Sequence, residues 1–147
     1  MEASELIGRL EAASEGSREL DMAIAVHVEG WCLHPADRQR DDSAQSDTGW
    51  TCLDCGADSW GNTGPTGQKR HASAPAYTTS LDAIVELIER KLPGCGWAVG
   101  KRPSGGGWAR TFMPTGLEVY VEAASPVISL CLSLLRALQH QGEAERG

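Results

Sequence analysis

The pattern Cys32-x-His34 followed by Cys52-x-x-Cys55 constrains this chain more than any other feature. It lies in a stretch from Trp31 to about Ala76 that is rich in Asp, Ser, Thr, Gly and Pro and nearly devoid of aliphatic residues. A segment of that composition buries too little apolar surface to offset its conformational entropy. A structureless loop of that length is also uncommon inside a compact domain. Metal ligation resolves the conflict, because bonds from thiolates and an imidazole replace the missing apolar burial.

The donor set fits zinc. Cys52-Leu53-Asp54-Cys55-Gly56 supplies two thiolates from a tight knuckle, and Cys32-Leu33-His34 supplies the other two ligands. The chain between His34 and Cys52 is long enough for a short hairpin to return. Three sulfurs and one imidazole complete a tetrahedral Zn2+ site with no open position, which is the mark of a structural site. Trp50 and Trp60 are placed to shield it. The sequence therefore predicts zinc held by Cys32, His34, Cys52 and Cys55, in an inserted zinc-ribbon-like module over 31–60, followed by a linker over 61–76.

The chain has five cysteines, an odd count that favours metal ligation over a disulfide framework. Cys131 falls on an apolar helical stripe and reads as core. Cys95 follows Pro93-Gly94 and receives no role.

Other chemistries fit less well. His27-Val28-Glu29 with Cys52-x-x-Cys55 matches most of a zinc deaminase signature. Thr51, however, stands where that signature has proline, and Cys32 with His34 completes a better tetrad. Gly105-Gly106-Gly107 lacks the Gly-Lys-Ser/Thr closure of a phosphate loop and reads as a hairpin connection. Lys69, Arg70 and His71, and Lys101, Arg102 and Arg110, are small basic clusters that could touch phosphate. Trp97, Trp108 and Phe112 read as core and sheet aromatics and not as base-stacking platforms. Glu118 and Glu122 share a strand face, which alone makes no acid–base pair. No catalytic residue is assigned, and the protein is expected not to be an enzyme.

The 147 residues suit one ordinary domain plus a small insertion. A formal net charge of −7 argues against general nucleic-acid binding and fits a soluble partner-binding protein. No apolar run reaches the ~18 residues of a membrane span. The opening MEASELIGRLEAAS lacks the basic and apolar regions of a secretory signal. A cytoplasmic location is expected.

Hydrophobic periodicity sets the rest. Leu6, Ile7, Leu10 and Ala13 recur at helical spacing with Ser4 as cap. Ser17 caps a second helix carrying Leu20, Ala23, Ile24 and His27, with Gly30 as its stop. Ser80 caps a third, with Leu81, Ile84, Val85 and Ile88 as its stripe and Pro93-Gly94 as its end. Short strands follow over 96–100, 108–113 and 117–122. In the last, Leu117, Val119 and Val121 face one way and Glu118, Tyr120 and Glu122 the other, the pattern of an antiparallel sheet with one wet face. Ser125 and Pro126 open a final helix whose apolar arc is the widest of all, ending in a polar tail from Gln141. The predicted fold is an α/β layered sandwich (α+β), with helices packed on a small three-stranded antiparallel sheet and the zinc module inserted.

Three stretches, in order, resemble the phage ABA-sandwich domain family. They are Ser17-Arg18-Glu19-Leu20-Asp21 with Ile24-Ala25; Tyr77-Thr78-Thr79-Ser80-Leu81-Asp82-Ala83 with the later Pro93-Gly94 and Gly96-Trp97; and Glu122-Ala123-Ala124-Ser125-Pro126 leading into Leu130-Cys131 and Leu134-Leu135-Arg136-Ala137-Leu138. The resemblance covers roughly 1–30 and 77–140 and skips the insertion. It implies a three-layer α/β/α arrangement, a bacteriophage or prophage accessory protein, and the cytoplasm of a bacterial host. It carries over no catalytic residue. The function expected is a non-enzymatic zinc-binding interaction module. The alternatives are a counter-defence inhibitor resembling anti-CRISPR proteins and a nucleic-acid-binding zinc ribbon.

Overall fold

Burial, more than propensity, fixes where the elements lie. A computed structural model describes residues 3–30, 39–41, 50–52 and 74–146, with 39–41, 50–52 and 143–146 described by backbone alone. The elements in chain order are α1 (Ala3–Ala12), α2 (Arg18–Glu29), β1 (Gln39–Asp41), β2 (Trp50–Cys52), α3 (Leu81–Lys91), β3 (Gly96–Lys101), β4 (Gly107–Phe112), β5 (Glu118–Ala123) and α4 (Pro126–Arg146). They fall into two compact units, one of Met1–Ala23 with Pro75–Gly147 and one of Ile24–Ala74.

In the first unit, β3, β4 and β5 form an antiparallel three-stranded sheet in that order. The helices pack on it as the predicted α+β layout requires. α4 is the middle layer, where the resemblance implies the sheet. It packs against all three strands and also against α1 and α3. Every residue from Ile128 to Leu135 is buried, so this helix has no solvent face along two turns. A helix apolar all round is stable only when enclosed on all sides. Each Leu or Ile buried there contributes about 1.5–3 kcal/mol. The two serines in the run find local partners. Ser129 donates to the Ser125 carbonyl at 2.8 Å, and Ser133 pairs with Thr111 of β4.

The helix starts follow side-chain caps. The Ser17 hydroxyl accepts from the Leu20 N–H (3.2 Å), Ser80 from Ala83 (3.3 Å) and Ser125 from Ile128 (3.1 Å). Ser4 differs from expectation: α1 already includes Ala3, so Ser4 lies within the first turn and is not its cap. In α3 the buried stripe is Ile84, Leu87 and Ile88, while Leu81 is exposed. Leu87, spaced three from Ile84, completes the inward row that Leu81 was expected to start. The tail from Gln141 continues α4 to Arg146.

The strand alternation is as predicted for Val119 and Val121, which are buried, and for Glu118, Tyr120 and Glu122, which are exposed. Leu117 departs from it. It stands outside β5 at the end of the turn, its carbonyl accepting from the Met113 N–H at 2.8 Å, and its side chain is exposed. No helix among the described residues is long and apolar enough to cross a membrane.

In the second unit, β1 and β2 pair antiparallel, with Gln39 opposite Cys52 and Asp41 opposite Trp50.

Candidate functional site

The open face of the β3–β4–β5 sheet concentrates the exposed chemistry of the first unit. Cross-strand partners share a face, so the register places Phe112 beside Glu118, Arg110 beside Tyr120 and Trp108 beside Glu122. The matching positions of β3 are Gly96, Ala98 and Gly100. The face therefore has one strand with almost no side chains and two with large ones. Trp108 lies across the bare strand: a Cβ on Gly100 would sit 2.7 Å from its ring atoms, so a side chain there would have to push the indole aside. Phe112 lies beside Gly96, where an added Cβ would be in ordinary contact at 3.5 Å. Tyr120 is 47% exposed and Phe112 41%.

Arg110 is the hub of this face. Its guanidinium lies 5.7 Å from the centroid of Trp108 and 5.2 Å from that of Tyr120. The two rings are near parallel, with centroids 6.4 Å apart. Its Nε is 3.2 Å from Glu118 Oε1. On the other side Arg102 meets Glu122 at 3.3 Å, and the Tyr120 hydroxyl donates to Glu122 at 2.8 Å. That hydrogen bond to a carboxylate is the main cause that raises the Tyr120 pKa above its ordinary value, with lesser help from burial and the Glu122 charge. Solvent-exposed pairs of this kind contribute only about 0–1 kcal/mol each. Folding therefore gains little from them. What they do is hold flat aromatic surface and a planar cation in one orientation.

The sequence expected Trp97, Trp108 and Phe112 all in core and sheet positions. Trp97 does face the helix layer, half-buried. Trp108 and Phe112 face outward on the open side. Alternation in β4 carried the signal: Ala109 and Thr111 fit the crowded helix-facing side, and that sends the larger residues out.

A cavity of about 350 Å³ lies beyond the other end of the sheet, lined among others by Leu92, Cys95, Met113, Leu117 and His140. Sequence reasoning left Cys95 without a place, and no spacing linked it to His140. Only the return of α4 brings them to one cavity. Burial raises the Cys95 thiol pKa, so the group is a neutral, weakly polar wall and not an activated thiolate.

A buried polar cluster ties the helices together. Asp21 is 1% exposed, and its Oδ1 accepts from the Thr78 N–H (2.8 Å) and the Thr78 hydroxyl (2.7 Å). Its Oδ2 accepts from Arg18 at 3.1 Å. Thr78 Oγ1 also accepts from the Ser17 N–H at 3.0 Å. Gly16 must be glycine for this contact: a Cβ there would lie 2.4 Å from the Thr78 carbonyl oxygen. Nearby, the Cys131 thiol donates to the Tyr77 carbonyl at 3.2 Å. Its pKa is raised first by complete burial and second by the Asp21 charge. Cys131 is core, as its helical stripe predicted. The cluster is enclosed and joins segments, so its role is structural.

Of the predicted zinc ligands, Cys32, His34 and Cys55 lie outside the described residues, as do Lys69, Arg70 and His71. Cys52 ends β2 and is described by backbone alone. No group of three or more His, Cys, Asp or Glu side chains able to hold a metal occurs among the described residues. Gln39, five positions after His34, pairs with Cys52. His27, Val28 and Glu29 form the last turn of α2.

Comparison with family models, with curated proteins and with solved structures finds no match for this chain.

Proposed function

We propose that the protein is a non-enzymatic protein-interaction module of bacteriophage or prophage origin, using the open sheet face as a contact surface and carrying a zinc-stapled insertion. One observation carries this reading: Arg110 reaches the rings of both Trp108 and Tyr120 on an exposed face that folding itself hardly needs. Trp, Tyr and Arg are the residues that dominate binding energy at protein interfaces. Here they are pre-ordered, which reduces the entropy lost on association. The phage origin draws support from the quoted motif segments. Ser17–Asp21 and Tyr77–Asp82 are distant in sequence, yet they meet through Asp21 and Thr78. The zinc reading draws support from the donor types and spacing of Cys32, His34, Cys52 and Cys55.

Two measurements test the proposal. Affinity capture from host lysate should retain a protein partner with the wild-type chain and lose it with the Trp108→Ala/Arg110→Ala variant. Equal capture by both removes the open face from the reading. Purified protein should carry about one equivalent of zinc, lost in Cys52→Ser. Zinc-free protein that Cys52→Ser leaves unchanged removes the metal. The exposed aromatics also favour a second reading, a single-stranded nucleic-acid platform. Steeply salt-dependent binding to an oligonucleotide would support it. The pairing of Arg102 and Arg110 with Glu122 and Glu118 weighs against it.

A further inference from the structure

We propose that the outer edge of β3 is a homodimerisation edge, to which β3 of a second copy adds antiparallel about a two-fold axis at Val99. This inference is independent of the open-face and zinc readings.

The Arg102 N–H donates to the Gly106 carbonyl at 3.2 Å, closing the β3–β4 hairpin. Antiparallel pairs alternate between hydrogen-bonded and non-hydrogen-bonded. Counting back along the register, Gly100, Ala98 and Gly96 bond to β4, while Lys101, Val99 and Trp97 point their N–H and C=O groups outward. On the far side of the sheet the Met113–Leu117 bond fixes the same alternation. There Glu118, Tyr120 and Glu122 point theirs outward. Among the described residues, no strand pairs with either edge.

The two edges are defended differently. Edge strands avoid pairing with other chains by carrying charges, prolines or bulges. β5 has Glu118 and Glu122. A second β5 placed about Tyr120 would set Glu118 of one copy opposite Glu122 of the other, and like charges directly opposite are destabilising. β3 reads Gly-Trp-Ala-Val-Gly-Lys, with no charge before Lys101, no proline, and an unbroken register with β4.

β3 is also self-complementary. Centred on Val99, the pairing puts Trp97 opposite Lys101 of the second copy and Ala98 opposite its Gly100. The outward groups of Trp97, Val99 and Lys101 are each used once, giving about six N–H···O bonds across the axis. The lysine stem and ammonium meet an indole, a favourable contact. On the open side the facing residues of the two strands, Ala98 and Gly100, are small. The helix-facing side supplies a further observation. Thr111 and Val119, and Ala109 and Val121, are buried, but their row-mates Trp97 and Val99 on β3 are only half-buried. The sheet's apolar face is incomplete at this edge and nowhere else along those rows.

Analytical ultracentrifugation of the full chain across micromolar concentrations tests this. The wild type should show a concentration-dependent monomer–dimer equilibrium. Val99→Pro removes an outward N–H that β4 does not use, and proline is tolerated on edge strands; this variant should sediment as monomer with unchanged circular dichroism. Tyr120→Pro, the equivalent change on β5, should still dimerise. Hydrogen exchange of the wild type gives a readout that needs no variant. The amides of Trp97, Val99 and Lys101 should exchange more slowly as concentration rises, and those of Glu118, Tyr120 and Glu122 should not. A wild type that stays monomeric at high micromolar concentration overturns the proposal. So does a dimer whose β3 amides show no concentration dependence, or a monomer whose β3 edge is protected only by a foreign peptide.

Discussion

The carboxylate of Asp21 in α2 accepts both the backbone N–H and the hydroxyl of Thr78, across 57 residues of sequence. The enclosure of this contact makes it costly to break, because a buried donor left unmatched suffers its full desolvation penalty. Asp21→Ala strands the Thr78 N–H, while the Thr78 hydroxyl still reaches the Ser17 carbonyl at 3.2 Å. Urea denaturation should show a loss of about 1–3 kcal/mol for Asp21→Ala. Thr78→Val should cost less, because it leaves the Thr78 N–H bonded. A loss below about 1 kcal/mol for Asp21→Ala would show that the carboxylate does not hold these elements together.

Gly16→Ala tests the same junction sterically. The added methyl would meet the Thr78 carbonyl oxygen at 2.4 Å and its Oγ1 at 2.6 Å. The backbone atom cannot rotate away, so either the turn or the Asp21 contact must shift. Thermal unfolding should fall by an amount matching about 1–3 kcal/mol. In an Asp21→Ala background, with the contact already lost, the further loss should shrink. Full additivity would separate the two effects.

The Thr111–Ser133 pair joins the sheet to α4 with both hydroxyls fully buried. Ser133→Ala should cost about 1–3 kcal/mol by leaving the threonine hydroxyl unsatisfied. Adding Thr111→Val should restore part of that, because an apolar pair of similar shape leaves nothing unmatched. A double variant as unstable as the sum of the singles would contradict this account.

Cys131 makes stability depend on alkaline pH. Its folded-state pKa is raised, chiefly by burial, so the folded chain keeps the thiol proton after an unfolded chain has lost it. The stabilisation is complete below the unfolded thiol pKa, about 8.5, and is lost as pH rises above it. One proton corresponds to a slope approaching about 1.4 kcal/mol per pH unit. Cys131→Ala, although less stable at neutral pH, should lose that component of the slope between pH 8.5 and 10.5. Parallel pH profiles for variant and wild type would rule the thiol out as its source.

Arg110→Ala should leave stability within about 1 kcal/mol of wild type. Its partners Glu118, Trp108 and Tyr120 are all at least partly open to solvent. Chemical denaturation checks this. A near-neutral result allows any loss of partner binding by the same variant to be read as an interface effect.

Much of the body was legible because its signals are local. Ser17, Ser80 and Ser125 cap the helices they were expected to cap, since a hydroxyl placed before an apolar period finds the nearest free N–H. The alternation of Val119 and Val121 with Glu118, Tyr120 and Glu122 identifies the wet face directly. The candidate site was legible only in part. Trp108 and Phe112 are large and apolar, and composition alone puts such residues inside. Their outward placement follows from what the opposite side of β4 must fit against α4. Leu81 and Leu117 are likewise apolar yet exposed, one at the start of α3 and one outside β5.

By itself the sequence determined the helices and strands, the wet side of the sheet and the position of Cys131 in the core, because periodicity, capping and turn chemistry act over a few residues. Tertiary structure alone decided that α4 is the middle layer, that Asp21 finds Thr78, that Cys95 and His140 share a cavity, and that Arg110 reaches both Trp108 and Tyr120. Each of these depends on which distant segments pack together, and packing is settled by mutual exclusion of volume and the matching of buried polar groups, neither of which a linear pattern encodes.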